Sequence, residues 1–146
     1  YAIMNLGAFG CIYLMKKEGN YTESIDDLSG ISNKHPLISI AFLIILFSLA
    51  GIPPLGGFFA KFYVFMAVIE NEMYALAIIG LLTTVISAFY YLRIIKIIYF
   101  DKLKTPFDQI KNFNISSTIF LSCVILLTFF IYPSILNEIV ISLFNN

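Results

Sequence analysis

The sequence predicts an all-α protein: a polytopic transmembrane helix bundle of about four segments, of which the second is discontinuous. Of its 146 residues, 60% are hydrophobic and only 12% are charged, and the mean hydropathy is +0.90. Soluble domains average about 25% charged and about 45–50% apolar residues, so this composition indicates a chain that lies in a lipid bilayer. Apolar segments alternate with polar loops, and one segment contains prolines and glycines.

The first apolar segment covers residues 1–15. It is shorter than the ~20 residues that a spanning helix needs. It begins with neither Met nor a secretory signal pattern. We therefore expect the chain to begin inside a helix, as the C-terminal part of a longer protein. A polar loop follows at residues 16–35, and Pro36 suits the first turn of the next helix.

The rest of the chain contains three further apolar segments, at residues 37–69, 73–100 and about 115–144. A short turn at Asn71 and Glu72 separates the second segment from the third, and a polar loop at 101–114 separates the third from the fourth. None of the apolar runs has a polar face, so we expect each helix to be surrounded by lipid or by other helices.

The second segment carries the motif "LAGIPPLGGFFAKFYVF" at residues 49–65. As one helix the segment would be about 50 Å long, against a hydrocarbon core of about 30 Å. Its prolines and glycines predict a break at residues 51–57. The break residues are Gly51, Pro53, Pro54, Gly56 and Gly57. The two halves form either a re-entrant hairpin or one spanning helix opened in the middle.

The distribution of charge favours the broken spanning helix. Eight of the nine Lys and Arg residues lie in or near the two long loops, whereas the turn near 70–73 and the tail after Pro133 carry glutamates instead. The eight are Lys16, Lys17, Lys34, Arg93, Lys96, Lys102, Lys104 and Lys111. Under the positive-inside rule, loops 16–36 and 101–114 are cytoplasmic, and the turn and the C-terminus are external.

The ninth basic residue, Lys61, lies about 13 Å from the external end at Glu70, close to the bilayer midplane. An ionisable residue beside a helix break marks a candidate ion pathway. Burial disfavours the charged form of lysine, so such a group can accept and release a proton. We therefore predict that Lys61 is a catalytic proton relay. The alternatives are a structural lysine paired with an acid, or one that extends to the interface. The dipoles of the two half-helices act on it in opposite directions.

Four weaker candidates have hydroxyl groups. Ser48 lies just before the break, where it could bond a freed backbone group or hold water, and Thr84, Ser87 and Tyr91 share one helix face at i, i+3 and i+7. These residues either line a hydrated path or bond one helix to another. A proton path across about 30 Å needs several relay groups, so the others must come from the missing upstream part or from partner subunits.

Other kinds of site have no support in the sequence. Cys11 and Cys123 lie in apolar runs, and the chain has no CxxC motif and no Cys/His cluster, so we expect no metal site. The sequence contains no GxGxxG, no P-loop and no basic run, so we expect neither nucleotide nor nucleic-acid binding.

The motif at residues 49–65, with "MNLGAF", "SIDDLSGISNKHP" and "YYLRIIKIIYF", resembles the antiporter-like membrane subunits of proton-pumping NADH:quinone oxidoreductase, respiratory complex I. Among them it is most similar to subunit N. The resemblance covers essentially the whole chain, as the last four of the family's fourteen helices.

The resemblance implies proton translocation coupled to quinone reduction, with Lys61 at the motif position of a terminal proton relay. It implies no cofactor on this chain, because other subunits handle NADH, FMN, the iron–sulfur clusters and quinone. The implied partners are the other membrane-arm subunits and the N-terminal part of the subunit, in the bacterial inner membrane. Two alternatives stay open: a subunit of a multisubunit cation/proton antiporter, which shares "GIPPL" and a following lysine, and a purely structural membrane scaffold.

Overall fold

A computed structural model describes residues 1–17, 20–21, 24–102 and 113–131 of the chain. Within these ranges the architecture is helical, as predicted, apart from one short antiparallel strand pair that joins Lys16 to Tyr21 and Lys17 to Asn20. The elements, in order, are α1 (Ala2–Tyr13), β1 (Lys16–Lys17), β2 (Asn20–Tyr21), two 3₁₀ turns (Ile25–Leu28 and Ile31–Asn33), α2 (Pro36–Ala50), α3 (Gly56–Glu70), α4 (Tyr74–Phe100) and α5 (Phe113–Ile131).

The helices differ in their capacity to cross a membrane. Within the described ranges, only α4 has both the length and the apolar composition of a spanning helix. It has 27 residues, which corresponds to about 40 Å. The apolar helix α1 is shorter, and so is the stretch Phe113–Thr128 of α5. The predicted end of the fourth segment, near residue 144, lies outside the described residues.

The core lies where α1, α2 and α5 meet the C-terminal end of α4, which contributes the buried residues Ile95, Ile97 and Ile98. Ile45 of α2 is fully buried there. An added Cβ at Gly7 of α1 would lie 2.7 Å from Cδ1 of Ile45 and 3.2 Å from Cβ of Ser122 in α5, so the small residue permits this close packing. Large apolar side chains on α4, such as Ile79, Val85 and Phe89, are instead exposed. Helix α4 therefore has an apolar surface suited to lipid or to further helices.

Helix α4 runs beside both α2 and α3. At its C-terminal end, the carbonyl oxygen of Ile97 accepts a hydrogen bond of 3.0 Å from the amide of Gly30, six residues before α2 begins. Nearer its N-terminal end, Gly80 faces the ring of Phe65 in α3, since an added Cβ would lie 2.7 Å from Cε1 of that ring. The beginning of α2 and the end of α3 are therefore at opposite ends of α4.

The chain leaves helical geometry between α2 and α3, within the predicted break. Gly51 has φ +81° in the left-handed region, where glycine has no steric penalty, and the Pro53–Pro54 peptide bond is cis. The predicted end of the break was wrong, because Gly56 and Gly57 already belong to α3. The reason is that the first turn of α3 closes by backbone bonding, with the amide of Phe58 donating to the carbonyl of Leu55 at 3.0 Å.

Candidate functional site

The C-terminal end of α2 is the first component of the site. The last four carbonyl groups of a helix have no partner within the helix. The amide of Gly51 donates to the carbonyl of Ser48 at 3.0 Å, and the amide of Ile52 donates to the carbonyl of Phe47 at 3.1 Å. This pair of bonds is the Schellman arrangement that a left-handed glycine permits. It leaves the carbonyls of Leu49 and Ala50 available to another donor.

Lys61 of α3 supplies that donor. Its Nζ donates hydrogen bonds to the carbonyl oxygen of Leu49 at 2.9 Å and to that of Ala50 at 3.2 Å. Both acceptors are uncharged, but they form the negative end of the α2 dipole, which favours a cation. Of the two opposing half-helix dipoles, the one that the ammonium group contacts is therefore that of α2. Lys61 is partly buried in this position.

Gly51 makes room for the lysine. A Cβ at this position would lie 3.0 Å from Cδ of Lys61 and 3.2 Å from its Nζ. The glycine thus allows both the left-handed turn that ends α2 and the close passage of the lysine side chain over that turn. Pro53 and Pro54, also predicted at the break, are exposed and lack amide hydrogens.

Ser48, near the end of α2, forms a hydrogen bond across the break to the first turn of α3. Its Oγ accepts a buried hydrogen bond of 3.1 Å from the amide of Gly57. Ser48 is fully buried. A Cβ at Gly57 would collide with the carbonyl oxygen of Ser48, so this approach requires glycine. Ser48 therefore bonds the freed backbone of α3, which is one of the two roles left open by the sequence.

The hydrogen bonds described for the hydroxyl residues predicted on α4 do not connect them to Lys61 or Ser48. Thr84 Oγ1 donates to the carbonyl of Gly80 at 2.9 Å, and Ser87 Oγ donates to that of Thr83 at 2.9 Å, so both bond their own helix. Tyr91 is partly buried and packs against the hydrophobic core. Their role in a hydrated path stays a prediction.

The site thus unites Ser48, Gly51, Gly57 and Lys61. The sequence placed the negative end of the α2 dipole within reach of Lys61, but it did not identify the carbonyl groups of Leu49 and Ala50 as the two that receive the ammonium. Their signal was positional: they are the last two carbonyls before a glycine that ends a helix. In the described part of the chain no group of three or more His, Cys, Asp or Glu side chains could hold a metal ion, and Cys11 and Cys123 are buried free thiols.

Comparison with known proteins gives curated relatives that match almost all of this chain. The NADH-quinone oxidoreductase subunit N of Pelagibacter ubique is 57% identical over 140 residues, which are 96% of this chain and 30% of that protein. The subunit N of Parvibaculum lavamentivorans is 48% identical over 134 residues, which are 92% of this chain and 28% of that protein. The chain therefore spans less than a third of the length of these relatives.

A solved structure has a similar fold. A chain in the respiratory complex I from Thermus thermophilus, determined with bound aureothin, gives a TM-score of 0.79 at 26% identity, covering 92% of this chain and 30% of that chain. The resemblance inferred from the motifs is thereby confirmed. The family model described as "NADH:quinone oxidoreductase/Mrp antiporter, TM" matches residues 1–87, more than half of the chain. The chain belongs to this transmembrane family.

Proposed function

We propose that this chain is the C-terminal part of a proton-translocating membrane subunit of an NADH:quinone oxidoreductase, with Lys61 as its proton relay. The relatives that match over almost the whole chain are subunits N of this enzyme. The proposal covers residues 1–146 as one antiporter-like membrane region. The redox chemistry, with NADH, FMN, iron–sulfur clusters and quinone, belongs to other subunits, so this chain has no redox active site of its own.

The observation that carries the proposal is the position of the Lys61 ammonium group. It lies at an opening between two helices, on two carbonyls that have no helical partner. Non-helical backbone at membrane depth is tolerated where it is enclosed by protein or lines a water-filled cavity. Lysine there can exchange its proton as its surroundings change, because its charged form depends on a small number of polar contacts. Such a group is suited to passing a proton between two half-paths.

The packing of α4 supports one broken spanning helix over a re-entrant hairpin. A hairpin would bring the end of α3 back to the beginning of α2. Instead, α4 contacts the region before α2 through Ile97 and the side of α3 through Gly80. We propose that α2 and α3 together cross the membrane. The chain then has about four membrane segments, with loops 16–36 and 101–114 cytoplasmic and residues 70–73 and the C-terminus external.

The rest of the proton path is proposed to come from outside this chain. Thr84, Ser87 and Tyr91 are partly buried on α4, the helix that borders both α2 and α3, and they are the candidates for hydrated groups within this chain. The N-terminal part of the subunit and the neighbouring membrane-arm subunits would supply the further titratable groups, within the inner membrane of a bacterium.

The direct test is Lys61→Met, made in the complete subunit within its assembled enzyme. Methionine keeps an unbranched side chain but carries no proton. We expect the rate of proton translocation by the assembled enzyme to fall about tenfold or more, since a positioned acid–base group commonly contributes at least that factor to a rate. Lys96→Met, at an exposed lysine of α4, is the matched control and should pump normally. Normal pumping by assembled Lys61→Met would exclude the relay, and would leave a structural scaffold as the better explanation.

A second candidate function is a subunit of a multisubunit cation/proton antiporter. The description of the matching family names both NADH:quinone oxidoreductase and Mrp antiporter, so membership alone does not separate the two. Purification of the intact assembly distinguishes them. Co-migration with NADH dehydrogenase activity supports the first function, whereas sodium-dependent proton exchange without that activity supports the second.

A further inference from the structure

Helix α3 begins without a capping side chain of its own. Its N-cap residue is Leu55, which makes no side-chain hydrogen bond to the first turn. The first amides of a helix need outside acceptors when they are buried. The amide of Gly57 finds its acceptor in Ser48 Oγ, on the opposite side of the break. Ser48, near the end of α2, therefore caps the N-terminus of α3.

This bond lies beside the contacts of Lys61. Ser48 is adjacent to Leu49, whose carbonyl accepts from the lysine, and Lys61 follows Gly57 by four residues. Residues four apart lie on the same face of a helix, about one turn from each other. The bond from Gly57 to Ser48 therefore fixes the turn of α3 that precedes Lys61 against the same end of α2 that receives its ammonium group.

We propose that Ser48 is the positioning residue for Lys61: its Oγ holds the first turn of α3 against α2 and thereby places the ammonium on the carbonyls of Leu49 and Ala50. The inference rests on the proposed relay function of Lys61. It gives Ser48 an indirect role, exerted through the lysine. Because Ser48 is 0% exposed, the bond is shielded from solvent that would compete for the amide.

The chain offers a matched control for this proposal. Ser39 is also 0% exposed and lies in the same helix, about 13 Å before Ser48 along the axis. Its hydroxyl donates to the carbonyl of His35 at 3.1 Å, within the first turn of α2. Replacing Ser39 removes a buried hydroxyl from α2 without touching the break.

The experiment compares Ser48→Ala, Ser48→Thr and Ser39→Ala in the complete subunit of the assembled enzyme. The readouts are the amount of assembled enzyme, the NADH oxidation rate and the rate of proton translocation. We expect Ser48→Ala to assemble and to pump roughly two- to tenfold less, the effect of one buried hydrogen bond acting on a rate. Ser48→Thr restores the hydroxyl and should recover pumping, and Ser39→Ala should pump normally.

Three results would overturn the assignment. The first is that Ser48→Ala pumps as well as Ser39→Ala. The second is that Ser48→Thr loses as much pumping as Ser48→Ala, which would show that side-chain size and not the hydroxyl decides. The third is that Ser48→Ala fails to assemble, which would make Ser48 a folding residue. Lys61→Met, measured alongside, separates the two proposals. If Lys61→Met stops pumping while Ser48→Ala pumps normally, the positioning role alone fails, whereas normal pumping by Lys61→Met removes the relay itself.

Discussion

At the scale of single residues, the structure explains how a lysine is accommodated inside an apolar helix pair. A charged group taken out of water needs compensating hydrogen bonds. Lys61 obtains two of them from Leu49 and Ala50, and those carbonyls need a donor for the same reason. The same contact therefore provides hydrogen bonds both to the ammonium group and to the two carbonyl groups.

The close approach of Gly57 to Ser48 predicts that a larger residue at position 57 destabilises the protein. Gly57→Ala would bring a methyl group into the carbonyl oxygen of Ser48, so the two half-helices must separate. We expect a loss of about 1–3 kcal/mol in the free energy of unfolding, the usual effect of an overpacked contact. Thermal or denaturant unfolding of the purified complete subunit measures it.

Gly56→Ala is the control for that measurement. Gly56 is also in the first turn of α3, but it is only partly buried, and alanine is the better helix former. Gly56→Ala should therefore be neutral or slightly stabilising. Equal stability of the two variants would show that the contact between Gly57 and Ser48 is looser than described.

The sequence predicted Lys61, Gly51 and Ser48 as candidate site residues, because each departs from the expected pattern of an apolar helix, and all three lie at the contact between α2 and α3. It was insufficient to say where the ammonium points. Two helix dipoles of opposite effect lie within reach of the side chain, and the balance depends on which carbonyls the turn at Gly51 leaves unbonded. That depends on the geometry of the turn, which residue type alone does not fix.

At the scale of elements, the break itself could be predicted but its limits could not. Prolines and glycines located the interruption, yet Gly56 and Gly57 are helical. In addition, the amide of Gly57 donates to Ser48 Oγ, nine residues away along the chain, and local propensity contains no information on such a bond. The short strand pair at residues 16–21 was likewise absent from the prediction, where the region was one polar loop.

Labelling of single cysteines tests whether α2 and α3 together cross the membrane. Starting from a background in which Cys11 and Cys123 are replaced, single cysteines at positions 34, 71 and 104 are labelled with a membrane-impermeant maleimide in oriented vesicles. We expect Lys34→Cys and Lys104→Cys to react from the cytoplasmic side and Asn71→Cys from the external side, because the positive-inside rule and the packing of α4 agree. Reaction of Asn71→Cys and Lys104→Cys from the same side would contradict the broken spanning helix.

At the scale of the whole molecule, we propose one intramembrane lysine in this chain, which spans 30% of the Pelagibacter subunit N that it matches. One titratable group does not cross about 30 Å of hydrocarbon, so pumping is a property to be measured in the assembled enzyme. The exposed apolar surface of α4 agrees with this, since it is suited to contact with lipid and with further helices.

We propose that Lys61 acts by losing and regaining a proton and does more than cap α2. Lys61→Arg tests it most directly, because arginine keeps the positive charge and can donate to the same carbonyls but stays protonated in proteins. The measurement is the rate of proton translocation by the assembled enzyme that carries this substitution. We predict normal assembly with the pumping rate reduced about tenfold or more. Pumping at the wild-type rate would show that a fixed cation is enough and would contradict the relay.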